Sequence, residues 1–263
     1  MAKVVFLIVG CQRSGTTMIE SVLDAHPLVR VIGEEKGASY LYFDEPWKLE
    51  DFPEDFIGLR IPAATHLVRE AAQAHVGAKV LFAVRDPRDV VTSMLKLKNR
   101  NVDSGLYTSW LEEYAQSELE NCLTHLPSKS IVTEKLLPLR SSNAGPNDVR
   151  FGGLCWLVKN RFLPLYQQSA LPTHVVRYEE FARNPETSIR EVCDFLKLEW
   201  HKNLTEHYKF SSGLWGGTDK GAPIHQRSVA AYRGSLTLDQ RKSLYSAIGG
   251  AMKALGYQEL LDA

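Results

Sequence analysis

The chain has 263 residues, of which 44% are hydrophobic and 24% are charged, a balance typical of a globular protein with a full core. Lysine and arginine together number 31, as do aspartate and glutamate, so the formal net charge is zero. Binding of nucleic acid or of an anionic membrane over a whole face is therefore disfavoured, and any anion site must be local. The length fits one α/β domain, alone or with a minor subdomain.

The first predicted element is a buried strand near the N-terminus. Val4 to Val9 is a continuous apolar run, which is typical of a central strand in a parallel sheet. The run is shorter than the apolar region of a signal peptide, and no stretch of the chain approaches the ~20 apolar residues of a membrane span. We therefore expect no membrane span and a cytoplasmic location.

A glycine-rich loop follows this strand directly. Gly10 and Gly15 occupy the glycine positions of the P-loop pattern G-x-x-x-x-G-K-[ST], Thr17 occupies the hydroxyl position, and Thr16 stands where the lysine should be. A strand, a tight turn and a helix start direct backbone N–H groups at one point, which favours a phosphate or sulfate. Arg13 adds a forked cation. Without the lysine, and without a strand-end carboxylate for magnesium, nucleoside triphosphate chemistry is disfavoured.

Helices and strands alternate along the rest of the chain. This alternation predicts an α/β fold with a parallel sheet flanked by helices on both faces, and ligands in such sheets bind beyond the carboxyl ends of the strands. The predicted strands after the first are Lys79–Val84 and Thr173–Tyr178. The predicted helices are Ser14–Ala25, one that begins at Pro87 with Asp86 as its N-cap, Ser104–Thr124, Arg150–Gln168, Pro185–Leu196 and Leu238–Leu255.

Two stretches between these elements have the composition of loops. Ser141–Asp148 is a turn-rich insertion. Lys209–Pro223 contains four glycines and Trp215, and it is either an ordinary flexible connection or a lid over an active site. The four cysteines have no C-x-x-C spacing, so we expect free thiols and no zinc site.

A second basic cluster lies at the end of the strand Lys79–Val84. Arg85 follows the strand, and Ser93 comes two helical turns later. Arg85 alone could simply pair with Asp86 or Asp89 on a solvated helix. Beside a P-loop that lacks its lysine, the arrangement instead favours a second phosphate site at the same edge of the sheet.

These motifs together resemble the PAPS-dependent sulfotransferases, where PAPS is 3′-phosphoadenosine 5′-phosphosulfate. The resemblance covers roughly residues 4–255 and is closest to tyrosylprotein sulfotransferases and their bacterial relatives. It implies a P-loop NTPase-like fold and a single sulfotransferase domain over residues 1–263. The matching segments are Gln12-Arg13-Ser14-Gly15-Thr16-Thr17, Asp24-Ala25-His26-Pro27, Gly33-Glu34-Glu35, Val84-Arg85-Asp86 with Ser93, Val176-Arg177-Tyr178-Glu179, and Arg227–Thr237.

The resemblance implies a role for each matching residue. The P-loop residues Gln12 to Thr17 would hold the 5′-phosphosulfate, with Arg13 also acting in catalysis. Arg85 and Ser93 would hold the 3′-phosphate. The other implied nucleotide-binding residues are Tyr178, Arg227 and Arg233.

The implied general base is Glu35, the second glutamate of Gly33-Glu34-Glu35. The alternatives are that both glutamates form a solvated turn, or that His66 is the base. Arg60 in "GLRIP" matches a family lysine that stabilises the transferring group, and Lys135 is its rival. His26 also matches a family residue, although its position before a proline favours a structural cap.

Departures from the family pattern leave the acceptor open. Lys36-Gly37 replaces a Thr-Arg pair that reads acidic peptides in the tyrosylprotein enzymes, and the late segment has Ala231-Tyr232-Arg233 where serine, lysine and tryptophan are expected. We expect transfer of a sulfuryl group to an alcohol, phenol or sugar hydroxyl, with no metal and no nucleic-acid partner. The alternatives are a P-loop kinase or NTPase and a non-catalytic nucleotide-binding module. The aromatic residues Trp47, Phe52 and Phe56 either line an acceptor pocket or belong to the core.

Overall fold

The computed structural model describes residues 3–34, 52–101, 115–126, 149–215 and 218–257. Five strands form a parallel sheet in the order β2-β3-β1-β4-β5. They are β1 Val4–Gly10, β2 Val29–Ile32, β3 Phe56–Arg60, β4 Lys79–Val84 and β5 Thr173–Arg177. A separate antiparallel pair consists of β6 Leu214–Trp215 and β7 Thr218–Asp219.

The helices confirm the predicted α/β class, a P-loop NTPase-like parallel sheet flanked by helices. Five of them begin within two residues of the predicted starts, and the strand Lys79–Val84 has the predicted bounds. The helices are α1 Thr16–Asp24, α2 Val68–Ala74, α3 Pro87–Asn101, α4 Ala115–His125, α5 Val149–Asn160, α6 Leu163–Gln168, α7 Tyr178–Arg183, α8 Pro185–Leu196 and α9 Leu238–Ala254.

The sheet is held by a core of aliphatic and aromatic side chains. Strands β1 and β4 are central, and their apolar residues from Phe6 to Val9 and from Val80 to Val84 are completely buried. One core cluster joins these strands to α1, α7 and α8 through residues such as Ile19, Phe181 and Ile189. The continuous apolar runs in the sequence reflect this burial on both faces of the sheet.

One predicted helix and the end of one predicted strand differ from the structure. The helix predicted over Arg150–Gln168 is wrong, because it is two helices, α5 and α6, with a break at Arg161 and Phe162. Pro164 sits in the first turn of α6 and cannot donate the backbone hydrogen bond that a continuous helix needs. Strand β5 ends at Arg177, and Tyr178 begins α7, a helix that was not predicted.

Short elements were also missed. Strands β2 and β3 have only four and five residues, and neither was predicted. The helix predicted from Ser104 is described only from Ala115 onward, where α4 begins. The predicted loop Ser141–Asp148 lies outside the described residues.

The chain divides into two compact units. The first comprises Met1–Val84 with Phe162–Gln226 and contains the sheet and the P-loop. The second comprises Arg85–Arg161 with Arg227–Ala263, and in it α5 packs so closely on α9 that a Cβ at Gly153 would lie 2.4 Å from Leu244 Cδ1. The single domain over residues 1–263 stays a prediction.

Two further predictions from the sequence concern the cysteine thiols and a membrane span. All four cysteines are free, as predicted, and three of them are buried. Burial raises the pKa of Cys193 to about 11, so this thiol is inert at neutral pH. Within the described ranges, no helix combines the length and the apolar character needed to span a bilayer.

Candidate functional site

The P-loop connects β1 to α1 through a backbone that requires glycine at two places. Gly10 has φ 128°, and a Cβ there would lie 2.3 Å from the Ala83 carbonyl oxygen of the neighbouring strand. Gly15 has φ 94° and is the N-cap of α1. Arg13, between them, also has a positive φ of 71°, which few residues with a side chain adopt. The loop is thus a strained turn that the surrounding structure holds in place.

The helix start at the end of this turn has the features of an anion site. The N-cap of α1 is Gly15, which has no side chain to accept the N–H groups that lack partners within the first turn. Ser14 is 1% exposed, and its hydroxyl has no hydrogen-bond partner among the described residues. Thr16 and Thr17 are also buried there. A bound phosphate or sulfate oxygen would satisfy both the hydroxyl and the backbone donors.

Tyr178 lies directly over the P-loop. Its Cδ2 atom would be 2.6 Å from a Cβ at Gly15, so only glycine leaves room for this ring. Tyr178 is 8% exposed, whereas Gln12 and Arg13 are half-buried. The structure therefore brings the predicted residue Tyr178 to the P-loop, because β5 ends one residue before it.

A network of ion pairs connects α1, the helix after the P-loop, to the end of β3 and to Lys220. Glu20 of α1 pairs with Arg60 Nε through Oε2 and with Lys220 Nζ through Oε1, the latter at 2.8 Å. Arg60 Nη1 also reaches Glu34 Oε2 at 3.2 Å, and the Ala63 N–H donates to Glu34 Oε1 at 2.9 Å. Two carboxylates and two cations thus meet in one cluster, and Glu20 and Arg60 are its most buried pair.

Sequence reasoning identified Arg60 but missed its partner Glu20. The pattern Thr16, Ile19, Glu20 and Leu23 has the i, i+3, i+4, i+7 spacing of the apolar face of a helix. A glutamate on such a face indicates a buried cationic partner, because an unpaired buried carboxylate is costly. Lys135, the rival of Arg60, lies outside the described residues.

The glycine-rich stretch predicted as a loop or lid contains the β6-β7 hairpin. Lys220 follows the hairpin, and its side-chain ammonium pairs with Glu20. Its backbone N–H donates to the Gly213 carbonyl at 3.0 Å. Gly221 N donates to Asp219 Oδ1 at 2.9 Å. Closure of this segment over a ligand stays a prediction.

Arg85, the predicted ligand of the 3′-phosphate, is fixed from two directions in the second unit. It is 5% exposed, and its Nη2 donates to the Ser228 carbonyl at 2.6 Å. The indole N–H of the fully buried Trp156 donates to the Arg85 carbonyl at 2.8 Å. Ser93 lies two turns along α3 and is half-buried.

The start of α3 also binds the predicted late segment. Asp89 accepts the Ala230 N–H at 2.8 Å and the Tyr232 N–H at 2.9 Å. Arg88 pairs with Asp86 at 2.6 Å, and its guanidinium carbon lies 4.2 Å from the centroid of the Tyr232 ring. The predicted cofactor residues Arg227 and Arg233, on either side of this turn, are exposed.

The candidate general bases differ in whether the structure describes them and in what they contact. Glu35 lies outside the described residues. His66 is 4% exposed, and its ring centroid is 6.4 Å from that of Phe162. His26 is a structural residue, since its Nδ1 accepts the Leu28 N–H and its Nε2 lies 3.0 Å from the Glu199 carbonyl.

Two of the three aromatic residues predicted for an acceptor pocket or the core lie in the described part of the chain. Phe56 is partly buried against the core cluster, and Phe52 is half-buried. Trp47 and the side chain of Trp215 lie outside the description. Among the described residues, no three histidine, cysteine or carboxylate side chains are arranged to hold a metal ion.

Comparisons with known proteins agree with the fold and the P-loop. Two curated relatives, carbohydrate sulfotransferase 2 of Mus musculus and of Homo sapiens, are each 24% identical over 193 residues. The match covers 69% of this chain, which spans about a third (35%) of the length of these relatives.

Solved structures share the fold at low identity. A sulfotransferase domain from the curacin biosynthetic pathway has a TM-score of 0.59 at 14% identity, covering 95% of this chain and 98% of that one. A sulfotransferase from Alicyclobacillus acidocaldarius has a TM-score of 0.56 at 16% identity, with coverage of 99% and 98%. Mouse sulfotransferase SULT7A1, complexed with PAP, has a TM-score of 0.53 at 14% identity, with coverage of 94% and 84%.

A sequence model of the sulfotransferase domain matches residues 4–212, which extend from the first residue of β1 through α8 to the segment before β6. This match includes the P-loop, the Glu20–Arg60–Glu34 network, Arg85 and Tyr178, and it covers well over half of the chain. The chain therefore belongs to the sulfotransferase family.

Proposed function

We propose that this chain transfers a sulfuryl group from PAPS to an acceptor hydroxyl. The observation that carries the proposal is the buried Ser14 hydroxyl, which has no partner among the described residues and lies at the uncapped N-terminus of α1. A helix start of this kind binds a phosphate or sulfate group. Thr16 in place of the P-loop lysine, together with membership of the family, supports sulfuryl transfer over a P-loop kinase.

The proposed roles divide the nucleotide between two sets of residues. PAPS supplies the sulfuryl group as an activated mixed anhydride. Gln12 to Thr17 bind its 5′-phosphosulfate, and the forked guanidinium of Arg13 neutralises oxygen charge in the transition state. Arg85 and Ser93 bind the 3′-phosphate. The remaining nucleotide-binding residues are Tyr178, Arg227 and Arg233.

Glu35 and Arg60 are proposed for the acceptor side of the reaction. As the acceptor oxygen forms its bond to sulfur, the bond between sulfur and the 5′-phosphate oxygen of PAPS breaks, and adenosine 3′,5′-bisphosphate (PAP) is the leaving group. The Glu35 carboxylate takes the proton of the acceptor hydroxyl. Arg60 stabilises charge on the sulfuryl oxygens. The match of Gly33-Glu34-Glu35 to the family pattern supports Glu35 over His66 as the base.

We further propose that the acceptor is a small molecule or a carbohydrate. Similarity to two carbohydrate sulfotransferases supports a sugar hydroxyl. The chain spans only 35% of those relatives, so their substrates do not transfer with the family. The cytoplasmic location and the absence of a metal requirement stay predictions.

A thermal-shift experiment separates the three candidate functions. Adenosine 3′,5′-bisphosphate without magnesium should raise Tm, because a ligand at 100 times its Kd stabilises the folded state by about 2.7 kcal/mol. A larger shift with ATP and magnesium would support a kinase or NTPase. Binding without turnover of labelled PAPS against a panel of sugar, phenol and alcohol acceptors would support a binding module.

The base is tested by turnover with the best acceptor found. Glu35→Gln should lower kcat by about 10²–10⁴-fold, because a general base contributes that much to the rate. Nucleotide affinity should barely change, since Glu35 is proposed to contact only the acceptor. Near-normal turnover in Glu35→Gln together with loss of turnover in His66→Ala would make the histidine the base.

A further inference from the structure

Within the second unit, one carboxylate connects the start of α3 to a turn near the C-terminus. Both Asp89 oxygens are used: Oδ2 accepts the Ala230 N–H and Oδ1 accepts the Tyr232 N–H. Asp89 is 1% exposed, which is rare for an aspartate and indicates that these bonds compensate its burial. Burial raises the pKa of this carboxyl, although the Tyr232 N–H acts in the opposite direction.

The turn that Asp89 holds has an unfavourable backbone conformation. Ala230 has φ 57° and ψ 23°, in the left-handed region that residues with a Cβ rarely adopt. A short 3₁₀ helix, Ala231–Gly234, begins immediately after it. The two hydrogen bonds to Asp89 straddle this residue, so they compensate the strain and select this conformation of the turn over an extended one.

The turn in its Asp89-bound form presents the Ser228 carbonyl to Arg85. Arg85 Nη2 donates to that carbonyl at 2.6 Å, while the Trp156 indole fixes the Arg85 main chain at 2.8 Å. The direction of the Arg85 guanidinium therefore depends on the turn, and the turn depends on Asp89. Asp89 can influence an anion bound by Arg85 without contacting it.

We infer that Asp89 is a positioning residue for the 3′-phosphate of the nucleotide, acting through the Ala230 turn and the Ser228 carbonyl on Arg85. This inference rests on the proposed function, which assigns the 3′-phosphate to Arg85. It also places Arg227 and Arg233 on a fixed turn, because they lie on either side of the residues that Asp89 holds. A site arranged before the ligand arrives loses less entropy on binding.

The inference is tested by the ratio of two affinities. Adenosine 3′,5′-bisphosphate and adenosine 5′-monophosphate differ only in the 3′-phosphate, and calorimetry gives the Kd of each. In Asp89→Asn, the preference for the bisphosphate should fall by about 10-fold or more, as expected when a charge-assisted contact is lost. The affinity for the monophosphate should change by less than about 3-fold.

A second variant removes the same hydrogen bond by changing Ala230, the residue that donates it. Ala230→Pro removes the N–H that Asp89 accepts and cannot adopt a positive φ. It leaves the buried carboxylate in place and changes a residue that is only half-buried. Ala230→Pro should reproduce the selective loss, and it decides the matter if Asp89→Asn does not fold.

Asp24→Asn is the matched control for loss of a structural carboxylate. Asp24 accepts the Val31 N–H at 2.7 Å, and burial raises its pKa as it does for Asp89. The control should lower Tm and keep the wild-type preference for the bisphosphate. If Asp89→Asn and Ala230→Pro also keep that preference, Asp89 is only structural and the inference is overturned. If the wild-type protein shows no preference, the proposed function fails as well.

Discussion

Replacing Glu20 with glutamine should destabilise the protein more than any change to a surface ion pair. The Glu20 carboxylate joins Arg60 and Lys220, and the side chains of Glu20 and Arg60 are only 9% and 4% exposed. Glutamine keeps the shape but removes the carboxylate charge that faces the buried Arg60 guanidinium. Removing one partner of a buried pair typically costs about 3–5 kcal/mol, because the other charge stays desolvated. For a chain of this size the loss corresponds to a fall in Tm of about 10 °C.

Urea unfolding of wild type and Glu20→Gln measures this loss directly. Glu186→Gln is the matched control, since Glu186 pairs with Arg190 at 2.7 Å while the two side chains are 62% and 50% exposed. The control should cost less than about 0.5 kcal/mol, as exposed helical pairs do. If Glu20→Gln costs no more than the control, the cluster is not acting as a buried ion-pair network and the argument from burial is wrong.

The remaining predictions concern the P-loop and pH. Gly15→Ala should weaken nucleotide binding by about 10-fold or more, because its Cβ would displace Tyr178, whereas Gly77→Ala has a similar φ of 81° with open space around it and should cost stability alone. Arg13→Gly keeps the positive φ without strain, so any loss of PAPS affinity and turnover measures the contribution of the guanidinium. Arg13→Lys should restore only part of that affinity and turnover, because the forked shape is lost. Unchanged kinetics in Arg13→Gly would exclude Arg13 from the site. Burial lowers the pKa of His26, so below about pH 6.5 the unfolded chain binds more protons than the folded chain. Tm should therefore fall between pH 7.5 and 5.5, and it should fall less steeply in His26→Gln. Equal slopes in the two proteins would exclude this histidine as a cause.

The sequence was sufficient where local patterns determine structure. Strand β4 and helix α8 have the predicted bounds, because an apolar run and a proline start define them. The P-loop was predicted from glycine spacing, and the positive φ values of Gly10 and Gly15 explain that spacing. Among the nucleotide-binding candidates, the structure brings Tyr178 to Gly15.

Contacts between distant segments were not predictable from local patterns. Strand β3 has only five residues, and it forms because Phe56 to Arg60 pair with β1, which no local pattern reveals. The pairing of Glu20 with Lys220, and of Asp89 with Ala230, joins residues far apart in sequence. In a single sequence, nothing connects the members of such pairs until the fold is known.

The order of the strands has a consequence for synthesis on the ribosome. Central strand β1 can pair with β3 and β4 once the first 84 residues have emerged, because both partners lie in that part of the chain. The other edge of β4 stays unpaired until β5, which begins only at Thr173, has been synthesised. Until then an apolar strand presents unpaired backbone groups, a known route to aggregation. Expression fragments that end before Arg177 should therefore be insoluble, and a chaperone that covers strand edges should raise the yield of the full chain.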